Sequence, residues 1–154
     1  MKQLLFLFLL MYMTQTWSNE FYFPDDDPQM PVKVVHTYKK DLTKFSYPEL
    51  KAIFTRRMIL WSDGEPIKVF IKPIKSLQHR EFLLYWLHMT TYRYVRLLEK
   101  QTYSGKTMSV IEVANDDRMI EALKDSPNSI GYLNEGEILY NTPDSDLVIV
   151  DYYK

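Results

Sequence analysis

The chain contains no cysteine and only four glycines among its 154 residues. Without thiols it has no disulfide framework, no thiolate metal site and no cysteine nucleophile. An excess of charge of one sign is also missing, because the formal net charge is -1 at pH 7. Such a balance does not indicate binding to nucleic acid or to an anionic membrane surface. The length of 154 residues, with 46% of them hydrophobic, favours one globular domain with a real core.

The N-terminus carries a hydrophobic run that is too short for a comfortable membrane span. Lys2 precedes uncharged residues 4–13, whereas a spanning helix needs about 20 residues. Thr16 and Ser18 put small residues at the positions that a signal peptidase requires. We therefore predict a signal peptide over residues 1–18, cleaved after Ser18, and a periplasmic protein with no stable membrane span after cleavage. An uncleaved N-terminal anchor is the alternative.

A proline- and aspartate-rich segment follows the predicted cleavage site. Asp25, Asp26 and Asp27 lie between Pro24 and Pro28, and proline blocks regular strand pairing. The spacing and central glycine of a calcium loop are absent. We interpret residues 19–31 as a solvated lead-in and residues 32–154 as the folded domain.

Within the domain, strand patterns alternate with helix patterns. Strands are predicted over residues 32–38, 67–71, 110–113, 130–133 and 147–153. Helices are predicted to begin after four capping positions: Ser46, Ser76, Thr90 or Thr91, and Asn115. Arg56 and Arg57 are expected in the last turn of the first helix. The last strand is continuously apolar through Val150, which is typical of a sheet covered on both faces. The pattern predicts an α/β fold, with a mixed sheet flanked by helices on both faces.

Five short sequence blocks point to a family. They are residues 46–50, 61–64, 76–82, 103–105 and 130–132. In this order and spacing they resemble the second lobe of the phosphate-binding proteins that serve phosphate ABC transporters. They are most similar to small exported proteins that resemble one such lobe. The resemblance implies one lobe of a type 2 periplasmic binding protein fold, and three of the four glycines fall inside the blocks.

The same resemblance implies an anion site between a strand and the helix that begins at Ser76. In the phosphate binders the matching loop carries an arginine, followed by a serine, a glycine and a threonine. The arginine position falls on Lys72, the serine on Ser76, the glycine on Leu77 and the threonine on Gln78. Arg80 adds positive charge, and the N–H groups at a helix N-terminus attract anions. We therefore predict ligand binding by Lys72, Ser76, Leu77, Gln78 and Arg80. Alternatively, Ser76 is only an N-cap and the basic residues are solvated.

Other motifs do not support catalysis. The stretch Ser104-Gly105-Lys106-Thr107 resembles the end of a P-loop, but Lys100 stands where the first glycine is required. No Gly-x-Ser-x-Gly elbow occurs, and the three histidines show no metal-ligand spacing. We predict a protein that is not an enzyme and uses no cofactor.

The middle of the chain is rich in aromatic residues. Tyr85, Trp86, Tyr92, Tyr94 and Tyr103 occur close to two arginines, Arg93 and Arg96. Such residues are enriched at binding hot spots, but core packing explains the same pattern. Both interpretations stay open at this stage.

These expectations combine into two functional hypotheses. The first is a periplasmic, non-catalytic protein that binds phosphate or another small oxyanion, related to the solute-binding components of ABC transporters. The second is an envelope protein-protein interaction module that kept the lobe and lost the ligand. Replacement of the loop glycine by Leu77 favours the second hypothesis, whereas Ser76 and the basic residues favour the first.

Overall fold

A computed structural model describes residues 32–39, 44–103, 110–137 and 147–153. The predicted signal peptide, the lead-in and the motif at residues 104–107 lie outside these ranges. Their roles therefore stay predictions.

The centre of the fold is a mixed sheet of five strands. The described residues form the strands β1 (Val32–His36), β2 (Lys44–Ser46), β3 (Lys68–Ile71), β4 (Val110–Glu112), β5 (Ser129–Asn134), β6 (Val148–Ile149) and β7 (Asp151–Tyr153). The central sheet has the order β4-β3-β5-β1-β6, and β2 pairs with β7 in a separate parallel pair. β3 runs parallel to β4 and β5, whereas β1 runs antiparallel to β5 and β6. The predicted mixed sheet is confirmed.

Within the described ranges, these strands are connected and covered by the helices α1 (Tyr47–Phe54), α2 (Leu77–Leu87), α3 (Thr91–Tyr103) and α4 (Asp116–Lys124). Three of the predicted helix starts are confirmed by their caps. The Ser46 backbone N–H donates to Glu49 Oε2 at 2.9 Å in a capping box. Ser76 Oγ accepts from the N–H of His79, and Asn115 Oδ1 accepts from the N–H of Arg118.

Alternating residues of the strands feed two separate cores. Val34, Ile71 and Tyr132 point into the larger core, which contains the buried side chains of α1, α2 and α3. Their neighbours in sequence point to the opposite face, where α4 buries a smaller group: Val35, Phe70, Leu133, Met119, Ile120 and Leu123. The predicted helices on both faces are therefore confirmed, because the strand period of two supplies both cores.

The last predicted strand needs correction. It is divided into β6 and β7, which belong to different sheets. β6 is the edge strand of the central sheet, and Ile149 is 44% exposed. A continuously apolar run was therefore wrong evidence for a strand covered on both faces. The run includes the buried Val150 between the two strands, so an apolar residue in it indicates burial but does not show which residues pair in a sheet.

The end of the first helix was also predicted wrongly. α1 ends at Phe54, and Thr55 is its C-cap. Arg56 has a φ of 60°, a left-handed conformation that cannot continue the helix. Neither Arg56 nor Arg57 therefore lies in the last turn.

Two of the glycines are explained by the structure. Gly64, in the turn before β3, has a φ of 87°, which residues with side chains rarely adopt. Gly131 lies against α4, where an added Cβ would come within 2.6 Å of the sulfur of Met119. The glycine thus lets α4 pack closely on β5, beside the edge of the sheet that carries the candidate site.

Candidate functional site

The candidate site lies at the carboxyl ends of the parallel strands β3 and β5. Lys72 directly follows β3, and it is only 1% exposed. Its ammonium nitrogen lies 3.0 Å from Oδ1 of Asp116, the first residue of α4. Burial lowers the pKa of Lys72, and the neighbouring Asp116 carboxylate opposes that shift. The predicted anion-binding charge is therefore buried and already paired with a carboxylate of the same chain.

Asp116 also receives hydrogen bonds from two further residues. Gln78 Nε2 donates to Oδ2 at 2.9 Å. Asn134, the last residue of β5, donates through its side-chain Nδ2 to Oδ2 at 3.1 Å and through its backbone N–H to Oδ1 at 3.4 Å. The carboxylate is thus surrounded by nitrogen donors from the end of β3, the start of α2 and the end of β5. We call Lys72, Gln78 and Asn134 the donor cradle.

The sheet topology explains why these residues meet. β3 lies between β4 and β5, and the three strands run parallel, so their carboxyl ends share one edge. α2 follows β3 and α4 follows β4, which places both helix N-termini at that edge. Asn115 caps α4, so the acidic Asp116 stands in its first turn, where the helix dipole favours negative charge. Open α/β sheets bind ligands at such strand ends.

The other three predicted site residues lie differently. Ser76 Oγ accepts a hydrogen bond from the N–H of His79 at 3.1 Å and so caps α2. Leu77 is 58% exposed, and Arg80 is also exposed on α2. The structure therefore brings Lys72 and Gln78 together at Asp116, whereas Leu77 and Arg80 face solvent. Their roles as ligand-binding residues remain predictions.

A buried polar chain lies directly behind the cradle. The backbone N–H of Lys72 donates to the Tyr132 hydroxyl at 2.8 Å. That hydroxyl lies 2.7 Å from His79 Nδ1, so its own proton is available for Nδ1. Nε2 of His79 is buried with no hydrogen-bond partner among the described residues. Burial lowers the pKa of His79 to about 4 and raises the pKa of Tyr132, so both groups are neutral at pH 7.

The sequence did not identify Asp116, Asn134 or the buried His79 as parts of the site. Asp116 carried a signal, because it follows a cap directly after a strand, but that signal indicates only a helix start.

The aromatic residues divide between both interpretations: Trp86 and Tyr94 are buried, whereas Tyr92 and Tyr103 are 75% and 91% exposed.

Two kinds of feature are absent from the described ranges. They contain no group of three or more histidine, aspartate or glutamate side chains placed to hold a metal ion. They also contain no helix with the length and apolar character needed to cross a membrane.

Solved structures of phosphate-transport proteins share this fold. PstS from Borrelia burgdorferi aligns with a TM-score of 0.59 at 16% identity, covering 80% of this chain and 47% of that protein. A Clostridium perfringens protein solved with bound phosphate, described as a phosphate ABC transporter substrate-binding protein, gives 0.56 at 12% identity, covering 80% and 46%. An ABC-type phosphate transport receptor from Vibrio cholerae gives 0.52 at 11% identity, covering 80% and 48%.

These similarities confirm the predicted fold class, and they extend over one part of each relative. The chain spans about half the length of the solved proteins that it matches. This share fits a single lobe of a periplasmic binding protein. No protein-family model matches the sequence, and no curated protein matches it either. The structural similarity therefore establishes the fold and does not identify a ligand.

Proposed function

We propose that this protein is an exported, non-catalytic binder of a small oxyanion, with phosphate as the first ligand to test. The observation that carries the proposal is the donor cradle, which already holds an oxyanion in the form of the Asp116 carboxylate. Lys72, Gln78 and Asn134 supply nitrogen donors to both of its oxygens. Hydrogen bonds to a charged acceptor are the strong ones, and a buried ammonium strengthens the attraction further.

The predicted ligand residues have defined parts in this proposal. Lys72 supplies a buried positive charge at the carboxyl end of β3, and Gln78 supplies an amide donor. Ser76 and Leu77 form the N-terminus of α2, where the helix dipole favours an anion. The exposed Arg80 adds positive charge to the first turns of the same helix. Lys72 binds an oxyanion as a point charge, without the paired geometry of a guanidinium, so we expect weaker binding than an arginine would give.

The relatives support phosphate as the first test. Two of the three solved proteins, from Clostridium perfringens and Vibrio cholerae, are described by phosphate transport, and the first of these structures holds bound phosphate. We extend this to a periplasmic location and to a partner among ABC transporter components. The predicted signal peptide over residues 1–18 supports the location.

A second candidate function is an envelope protein-protein interaction module that no longer binds a free ligand. It is favoured by one observation: the charge of Lys72 is already neutralised by Asp116 at 3.0 Å. The exposed Leu77, in place of a glycine, also suits a contact surface better than a ligand loop.

Calorimetric titration separates the two functions. The chain from Asn19, the predicted mature form, would be titrated with phosphate and with sulfate, beside a Lys72→Met variant. Oxyanion binding predicts saturable heat that the variant loses while it retains the native circular dichroism spectrum. A folded wild-type chain that gives no saturable heat at millimolar phosphate or sulfate would contradict the proposal and favour the interaction module.

A further inference from the structure

The carboxylate of Asp116 occupies the donor cradle in the way that a bound ligand would. Its Oδ1 contacts the ammonium of Lys72 and the backbone N–H of Asn134. Its Oδ2 contacts Gln78 Nε2 and Asn134 Nδ2. Each oxygen therefore lies close to two nitrogen atoms, through three hydrogen bonds and one ion pair, and a small planar oxyanion can use the same contacts.

The cradle depends on an anion for its own stability. Lys72 is 1% exposed, and its ammonium has no hydrogen-bond partner among the described residues, so the ion pair with Asp116 at 3.0 Å is its compensating contact. A buried ammonium without an opposite charge is strongly unfavourable. While Lys72 is protonated, the occupant of the cradle must therefore carry negative charge, and Asp116 meets this need from within the chain.

We infer that Asp116 is an internal competitor, and that an external oxyanion binds the cradle only by displacing its carboxylate. This inference rests on the proposed function, since it describes the same site. Asp116 is attached to α4, so its carboxylate is present at a high effective concentration beside the cradle. The apparent affinity for an external anion equals the intrinsic affinity multiplied by the fraction of molecules in which Asp116 has left the cradle. Removing this carboxylate should then tighten oxyanion binding.

The test compares the wild-type chain with Asp116→Ala, using formate and inorganic phosphate as separate probes. Formate replaces the carboxylate that the substitution deletes, and phosphate is the larger oxyanion of the proposed function. Binding is read from the urea midpoint and from the backbone amide shift of Asn134 in nitrogen-15 NMR, with sodium chloride at equal ionic strength as the reference. Asp116→Asn is the second variant if the alanine variant does not fold.

We expect each probe to bind the Asp116 variant at least tenfold more tightly than it binds the wild type. The gain should vanish when Lys72→Met is added, because the cradle then lacks its charge. Asp125→Ala, at the exposed C-cap of the same helix, should leave probe affinity as in the wild type.

The outcomes separate this inference from the proposed function. Equal phosphate affinity in the wild type and the Asp116 variant would overturn the competition and keep the oxyanion function. Binding by the variant alone would support the competition and argue that the wild-type site is permanently filled by Asp116. A folded variant that binds neither probe would overturn both.

Discussion

Polar groups are paired differently at the two ends of the central sheet, by neutral hydrogen bonds at one end and by an ion pair at the other. At the end where β5 begins, polar groups are neutral: the Thr37 hydroxyl donates to the Ser126 carbonyl and accepts from the Ser129 N–H, and the Trp61 indole donates to the Asn128 carbonyl. At the end where β5 finishes, the central contact is ionic, between Lys72 and Asp116. Neutral hydrogen bonds respond little to pH or to dissolved anions. Of these two ends, only the ionic one is therefore suited to exchange its carboxylate partner for an anion from solution.

The largest effect is expected at the ionic end. Asp116→Ala leaves the Lys72 ammonium buried without its counter-charge, and breaking such a pair costs about 3–5 kcal/mol of unfolding free energy. Urea denaturation at pH 7 in chloride buffer measures it. The double variant with Lys72→Met should recover much of the loss, since no buried charge is left. A loss below about 1 kcal/mol in the single variant would show that the pair is solvated, contrary to the burial of Lys72.

The second effect is pH dependence next to the cradle. Burial lowers the pKa of His79 to about 4, so the folded chain keeps it neutral where the unfolded chain protonates it near pH 6.5. The unfolded state then binds more protons, and stability must fall as pH drops from about 6.5 to about 4. The expected loss from this group is about 3 kcal/mol.

Urea denaturation at several pH values measures the slope. His79→Asn keeps an acceptor for the Tyr132 hydroxyl but has no titrating ring, so its slope in this range should be smaller. An unchanged slope would assign the pH dependence to other groups.

A smaller effect is expected at the neutral end. Thr37→Val retains the shape of the side chain but removes the partner of the Ser129 N–H and of the Ser126 carbonyl. Unmade hydrogen bonds of this kind cost about 1–3 kcal/mol. Thermal and urea unfolding should show this loss equally in phosphate, formate and chloride. A loss that depended on the anion would break the distinction between the two ends.

The smallest effect is expected far from both networks. Tyr92 on α3 is 75% exposed, so Tyr92→Ala should change the unfolding free energy by less than about 0.5 kcal/mol. The buried Tyr94 donates to the Phe54 carbonyl at 3.1 Å and provides the matched comparison, since Tyr94→Phe should cost more. Similar values for both variants would contradict the assignment of one aromatic residue to the surface and one to the core.

Much of the fold was predictable because local signals carried it. The caps Ser46, Ser76 and Asn115 were read directly, since hydrogen bonds between a cap residue and the first turn of its own helix act over a few residues. The helices on both faces were predicted correctly, but from the continuously apolar last strand, which is in fact divided between two sheets. Strand β2 was missed, because its three residues carry no periodic pattern and depend on pairing with the distant β7.

The candidate site was predictable only in part. The resemblance selected Lys72 and Gln78, and both do lie at one place. It gave no sign of Asp116 or Asn134, which are far away in sequence and carry no motif. Asp116 looked like an ordinary acidic residue in a first helix turn. Its distance to Lys72 follows from the position of β3 between β4 and β5, which no local pattern records.

The sequence by itself determined the alternation of strands and helices, their caps and the two apolar faces of the sheet. These properties follow from residues close together in the chain, where side-chain period and capping act. The tertiary structure alone decided that Lys72 is buried, that its partner is Asp116 and that Gln78 and Asn134 complete the cradle. Strand order brought those residues together, and burial turned an ordinary lysine and aspartate into a charge pair whose energy depends on the exclusion of water.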